Sequence, residues 1–128
     1  LLEVSFDIFL QRFDDAATDG SAVMSVLRPL IVDEDDEHRF RRIVTGDGDA
    51  EVYGDPASDL MFTHASGVEV WDVIVDVARA AGWVVMPVGC GTCVVDEAQR
   101  AGLPEFVPEP VVTVRSGAEL IAAIKASD

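Results

Sequence analysis

Apolar residues recur with a period of two at the start of the chain. Val4, Phe6, Ile8 and Leu10 fall on one side, while Phe9 and Phe13 share the other with Ser5, Asp7 and Gln11. That period predicts a strand with one fully apolar side and one mixed side. Asp14 to Gly20 is polar and turn-like, and after it the period changes. Val23, Val26, Leu27, Leu30 and Ile31 make a helical stripe over 22–31, with Ser21 placed to cap it and Pro29 limiting the regularity of its end. Asp33 to Glu37 has no apolar residue and reads as a solvated connector. Phe40 to Thr45 reads as a strand, Gly46-Asp47-Gly48-Asp49 as a turn of the Asp-Gly class, and Ala50 to Tyr53 as the returning strand. Gly54-Asp55-Pro56 breaks the chain before a third short strand, Leu60 to His64.

Ser66-Gly67-Val68-Glu69 has the spacing of a capping box and predicts a helix running to about Ala81, stopped by Gly82. Val70, Trp71, Ile74, Val77, Ala78 and Ala81 face inward on it, and Asp72, Asp76 and Arg79 face out. Trp83 to Val88 reads as a buried strand, and Val94 to Ala101 as a short helix ending at Gly102-Leu103-Pro104. Val111 to Val114 is a last strand. Ser116 and Glu119 repeat the capping spacing and open a terminal helix with Leu120, Ile121 and Ile124 inward. The flanks of the two capping sequences differ in length and content, so they are no internal repeat. The resulting order, β-α-β-β-β-α-β-(α)-β-α, predicts an α+β fold. One domain over residues 4–128 would hold a mostly antiparallel central sheet of about five to six strands, with two to four helices packed on it.

Composition narrows the function classes. A chain of 128 residues that is 49% hydrophobic can bury a real core, which excludes a disordered acidic tail. Its apolar runs are interrupted, as by Asp72 and Asp76, and none approaches the roughly 20 residues that span a bilayer. No secretory signal is legible at the start. Leu1-Leu2-Glu3 lacks a methionine and reads as an appended remnant, with the natural chain opening near Val4. The expected location is the cytoplasm, or an exported one reached by a signal outside this sequence.

Charge changes the picture more. Twenty-four acidic against nine basic residues leave a net −15, which argues against nucleic acid or an anionic membrane as partner. The acids cluster: Asp14, Asp15, Asp19, Asp33, Glu34, Asp35, Asp36, Glu37, Asp47, Asp49, Glu51, Asp55 and Asp59 meet only Arg28, Arg39, Arg41 and Arg42 in the same stretch. A localised field of one sign steers an oppositely charged partner. The candidate binding residues are therefore Asp33, Glu34, Asp35, Asp36, Glu37, Asp47, Asp49, Glu51, Asp55 and Asp59, with Tyr53 among them as an aromatic anchor. Phe9 and Phe13 are further candidate anchors, or else complete the core.

Both cysteines lie in Gly89-Cys90-Gly91-Thr92-Cys93. A CxxC after a strand and before a helix is the setting of a dithiol redox site, but too little chain follows Cys93 for the remainder of a thioredoxin-type fold. The simpler reading is a pair of reduced thiols in a Gly-shaped strand-to-helix turn. With His38 and His64 the two cysteines supply four ligands for zinc, at spacings that match no compact finger. Pairing of either thiol with His64 for nucleophilic catalysis stays open, because separation in sequence does not fix separation in space. Asp47, Asp49 and Glu51 imitate the start of a calcium loop, yet its frame fails at Val52 and Ser58. No glycine-rich nucleotide loop is present. No catalytic residue is assigned, and a binding role is expected before an enzymatic one. The alternative is a metal- or thiol-dependent enzyme centred on Cys90 and Cys93 with His64.

Two segments, Ser5 to Phe13 and Gly67 to Ile74, are similar to segments of small bacterial proteins, and in size and acidity the chain resembles immunity proteins of bacterial toxin systems. That resemblance implies a cytoplasmic antidote which binds and blocks a toxin domain, one of cationic surface by the charge argument; no cofactor is expected, with zinc as the alternative. An acidic domain can plug a site built for nucleic acid by imitating phosphate charge.

Overall fold

The computed structural model describes residues 7–13 and 20–127. Val4, Ser5 and Phe6 of the expected first strand, and the turn-like stretch from Asp14 to Asp19, lie outside the described residues. The elements are β1 (Ile8–Gln11), α1 (Ser21–Leu27), β2 (Ile31–Asp35), β3 (Phe40–Val44), β4 (Asp49–Asp55) and β5 (Asp59–Thr63), then α2 (Glu69–Ala81), β6 (Val84–Pro87), β7 (Thr92–Val94), β8 (Val111–Thr113) and α3 (Gly117–Ala126). Short 3-10 turns lie at Arg28–Leu30 and Glu97–Gly102.

All eight strands join one sheet in the order β2-β3-β4-β5-β1-β6-β7-β8. Only β7 and β8 run parallel; the other neighbours are antiparallel. The α+β class and the mostly antiparallel sheet are as expected, but the strand count exceeds the predicted five to six. The two additional strands lie where turn chemistry dominates the sequence. Asp33, Glu34 and Asp35, expected in a connector, belong to β2 because Arg42, Arg41 and Phe40 stand opposite them on β3. Cys93, expected in a strand-to-helix turn, lies in β7 opposite Val85, so the CxxC spans a β6–β7 hairpin. At the first helix, Gly20 occupies the cap position with φ 83°, and Ser21 is the first helical residue.

The first strand of the chain lies inside the sheet, antiparallel to both β5 and β6. Its apolar side, Ile8 and Leu10, joins Val52, Leu60, Phe62 and Val85 beneath the helices. Val23 and Leu27 of α1, Trp71, Ile74 and Val77 of α2, and Leu120 and Ile124 of α3 close the core from above. Among the described residues, the second side of the sheet is covered over β6 to β8 by residues 97–110. There Thr92 Oγ1 donates to the Pro108 carbonyl at 2.7 Å, and Gln99 Nε2 donates to the Trp83 carbonyl at 3.0 Å. Among the described residues, no further element covers this side over β3, β4, β5 and β1.

Both sheet edges are protected from further pairing. β2 carries three consecutive carboxylates, which repel a second copy of the same edge. The short β8 follows Pro110, and Arg100 Nη1 donates to its Val111 carbonyl at 3.0 Å.

Candidate functional site

The sequence-derived acidic residues divide into those that the fold engages and those that it leaves available. On the β2 edge, Glu34 receives Arg41 Nε at 3.1 Å and Arg28 Nη1 at 3.5 Å. Asp35 meets His38 Nδ1 at 2.8 Å, and that hydrogen bond holds its carboxyl below the ordinary value of 3.8. Asp33 accepts from the Glu34 backbone N–H at 3.0 Å, while Asp36 and Glu37 lie exposed in the following turn. Asp35, Glu37 and His38 place ligand atoms within 4.8 Å of one another, the one such group of three or more among the described residues.

Asp47 and Asp49 hold the structure together. The backbone N–H groups of Val68 and Glu69, at the start of α2, donate to Asp47 Oδ2 at 2.8 Å and Oδ1 at 3.2 Å. The predicted capping box from Ser66 to Glu69 therefore does not form. Ser66 Oγ instead accepts from the Asp49 N–H at 3.1 Å and donates to Asp49 Oδ1 at 2.8 Å. The reason is steric: the tip of the β3–β4 hairpin presses on the Ser66–Gly67 backbone. A Cβ on Gly48 would clash with the Ser66 carbonyl, and Gly67 adopts φ 79° beside Asp47. The hairpin carboxylate thus reaches the helix N-terminus first. The Val68 and Glu69 N–H groups lower the pKa of Asp47 from 3.8, and Ser66 followed by Arg42 lowers that of Asp49. Glu51 is also engaged, with His64 Nδ1 at 2.9 Å.

The open side of the sheet carries an apolar row. Strand registers align Phe40 with Tyr53, Tyr53 with Met61, Met61 with Phe9, and Phe9 with Met86. The Phe40 and Tyr53 rings pack at 5.2 Å with a tilt of 50°. Phe9 is 41% exposed and the other four are half-buried. Two residues along the strands, Asp55 pairs with Asp59 on one flank of the row. On the other flank stand Glu51 and Arg42, with Arg42 held by Asp49 at 2.6 Å, and Asp7, whose carbonyl accepts from the Val88 N–H at 3.0 Å. Tyr53 and Phe9 thus share one surface. Phe13, the third candidate anchor, lies apart, in a groove with Gly82 and Leu103.

The thiols stand elsewhere. Both cysteines are free, Cys90 half-buried and Cys93 2% exposed. Burial, then the neighbouring Cys90, pushes the Cys93 pKa up to about 11, which opposes a thiolate nucleophile or ligand there. The two thiols border a cavity of about 110 Å³ together with Pro87, Val112 and Ile124. His64 is at the end of β5 on Glu51 and His38 is in the β2–β3 turn on Asp35. Cys90, Cys93, His64 and His38 are not gathered as a ligand set, so the zinc arrangement drawn from the sequence is not assembled. Asp47, Asp49 and Glu51, read as an imitation calcium loop, are a hairpin turn and the strand after it.

Sequence reasoning missed a polar cluster beside β8. Glu97 bonds to Thr113 and receives Arg100 Nε at 2.8 Å, contacts that lower its pKa from 4.5. The spacing of Asp96 and Gln99 marks the start of this turn, and their reciprocal capping bonds are present.

No family model, curated protein or solved structure matched the chain in the comparisons made. The class is set by the fold itself: an α+β protein whose sheet is covered by helices on one side and, among the described residues, only in part on the other. No helix among the described residues is long and apolar enough to cross a membrane.

Proposed function

We propose that this protein acts by binding a cationic protein partner, as an inhibitory module of the immunity type rather than as an enzyme. The observation that carries the reading is the set of carboxylates remaining after internal pairing. Asp33, Asp36, Glu37, Asp55 and Asp59 make no ion pair among the described residues. Together with the net −15, they supply a field suited to fast capture of a basic surface. The cytoplasm is the proposed compartment, since it keeps thiols such as Cys90 and Cys93 reduced. The reading needs no cofactor.

The test uses purified protein against a panel of basic bacterial toxin domains, following association by stopped flow and toxin activity in parallel. One panel member is expected to be inhibited, with an association rate that falls steeply as salt rises. Changing Asp33 and Asp36 to Asn and Glu37 to Gln should slow association by about three- to tenfold at low salt, with a smaller effect on dissociation. Absence of any complex with the basic domains at low salt would overturn the reading.

A further inference from the structure

We propose that the open side of the sheet is a docking surface for a basic amphipathic helix presented by the partner; this rests on the cationic-partner reading and gives that partner a shape. Phe40, Tyr53, Met61, Phe9 and Met86 lie side by side on five adjacent strands. At about 4.8 Å between strands the row is roughly 19 Å long, the length of between three and four helical turns. Carboxylates stand about 7 Å from the row on both flanks, at two residues along each strand. Asp55 and Asp59 hold one flank and Asp7 the other, where Glu51 is already engaged by His64 at 2.9 Å.

A helix is about 10–12 Å wide with its side chains. Laid along the row, it sets an apolar stripe on the aromatic and methionine side chains and lateral Lys or Arg over both flanks. The two methionines adapt their shape to such a stripe. At one end the row opens into a depression of about 310 Å³ among Phe9, Met86, Val88 and Pro108, which can receive one apolar side chain.

Charge selects among the possible occupants. A second copy would bring another −15, and Arg42, which flanks the row, is already held by Asp49 at 2.6 Å. A partner helix rich in Lys and Arg meets both flanks without that repulsion.

Two synthetic helices of equal length and charge test this. One places Leu at i, i+3, i+4 and i+7 among Lys, and the other has Ser in place of Leu. Calorimetry at low salt should show tighter binding of the Lys–Leu helix, with amide shift changes on β3, β4, β5, β1 and β6. Met61→Ser and Phe9→Ser should each weaken that binding about tenfold, as for a truncated interface anchor. Binding of the Lys–Ser helix should be unchanged by these substitutions. If Phe9→Ser loses its fold by circular dichroism, Tyr53→Ser replaces it. Equal affinities for the two helices, or shift changes confined to the β2 edge, would overturn the docking surface and leave the cationic-partner reading standing. Failure of both helices to bind would overturn both. Self-association in sedimentation that Met61→Ser abolishes would assign the face to a second copy and overturn the proposal.

Discussion

Asp47 occupies a position that the sequence presents as one more member of an acidic stretch, yet its carboxylate holds two backbone N–H groups at the start of α2. An anion there also meets the positive end of the helix dipole. Asp47→Ala removes both effects. It is expected to lower the thermal midpoint, whereas Asp36→Ala, on an exposed turn, should leave it nearly unchanged. The pH dependence follows from the direction of the shift. The folded pKa lies below the ordinary 3.8, so the stabilisation is fully present above that value and is lost as pH falls through the folded one. Thermal melts of the two variants and the parent across this acid range should therefore show the deficit of Asp47→Ala closing as pH drops. A deficit of constant size would mean that the carboxylate charge is irrelevant to the cap. The role was hidden in the sequence because a Ser66-x-x-Glu69 capping signature stands beside the helix, and only the hairpin approach through Gly48 decides between them.

Elements with a strong period were legible: β3 to β5, α2 and α3 lie close to where alternation and 3.6 spacing place them. β2 was not, because consecutive Asp and Glu residues disfavour a strand until cross-strand Arg41 and Arg42 are counted. Nor was β7, whose three residues are too few to display a period. The apolar row was half legible. The mixed side of β1 names Phe9, but its alignment with Met61 and Tyr53 depends on registers between strands distant in sequence. Helix packing offers a sharper test at Gly117, the first residue of α3. Its N–H donates to Asp72 Oδ1 at 2.7 Å, and an added Cβ would meet the Asp72 backbone nitrogen at 2.5 Å. Gly117→Ala must therefore move α3 away from α2. A loss of about 1–3 kcal/mol in denaturant unfolding is expected, the usual cost of overpacking. Gly102→Ala is the control, since an added Cβ there has no atom within 4 Å. Equal stability of the two variants would show that the α2–α3 contact yields freely.

Charge acts on the whole molecule in two opposed ways, and salt tells them apart. Among the described residues, five arginines form ion pairs with carboxylates: Arg28 and Arg41 with Glu34, Arg42 with Asp49, Arg79 with Asp76 and Arg100 with Glu97. Most of these groups are substantially exposed, and such pairs contribute little. Against them stands the repulsion among the charges that make up the net −15, which folding brings closer together than in the open chain. Screening weakens both, so the sign of the salt effect shows which is larger. Repulsion should dominate at neutral pH, and sodium chloride rising from about 0.02 to 0.5 M should raise the thermal midpoint on the order of 5 °C. The same titration near pH 4.2, where the net charge approaches zero, should show little rise or a fall, because the ion pairs then lose more than the screened repulsion returns. Calorimetric midpoints at the two pH values decide it. A midpoint that falls with salt at neutral pH would mean that the ion pairs outweigh the uncompensated acid, and that the carboxylates beside the open sheet are less available than the proposed partner requires.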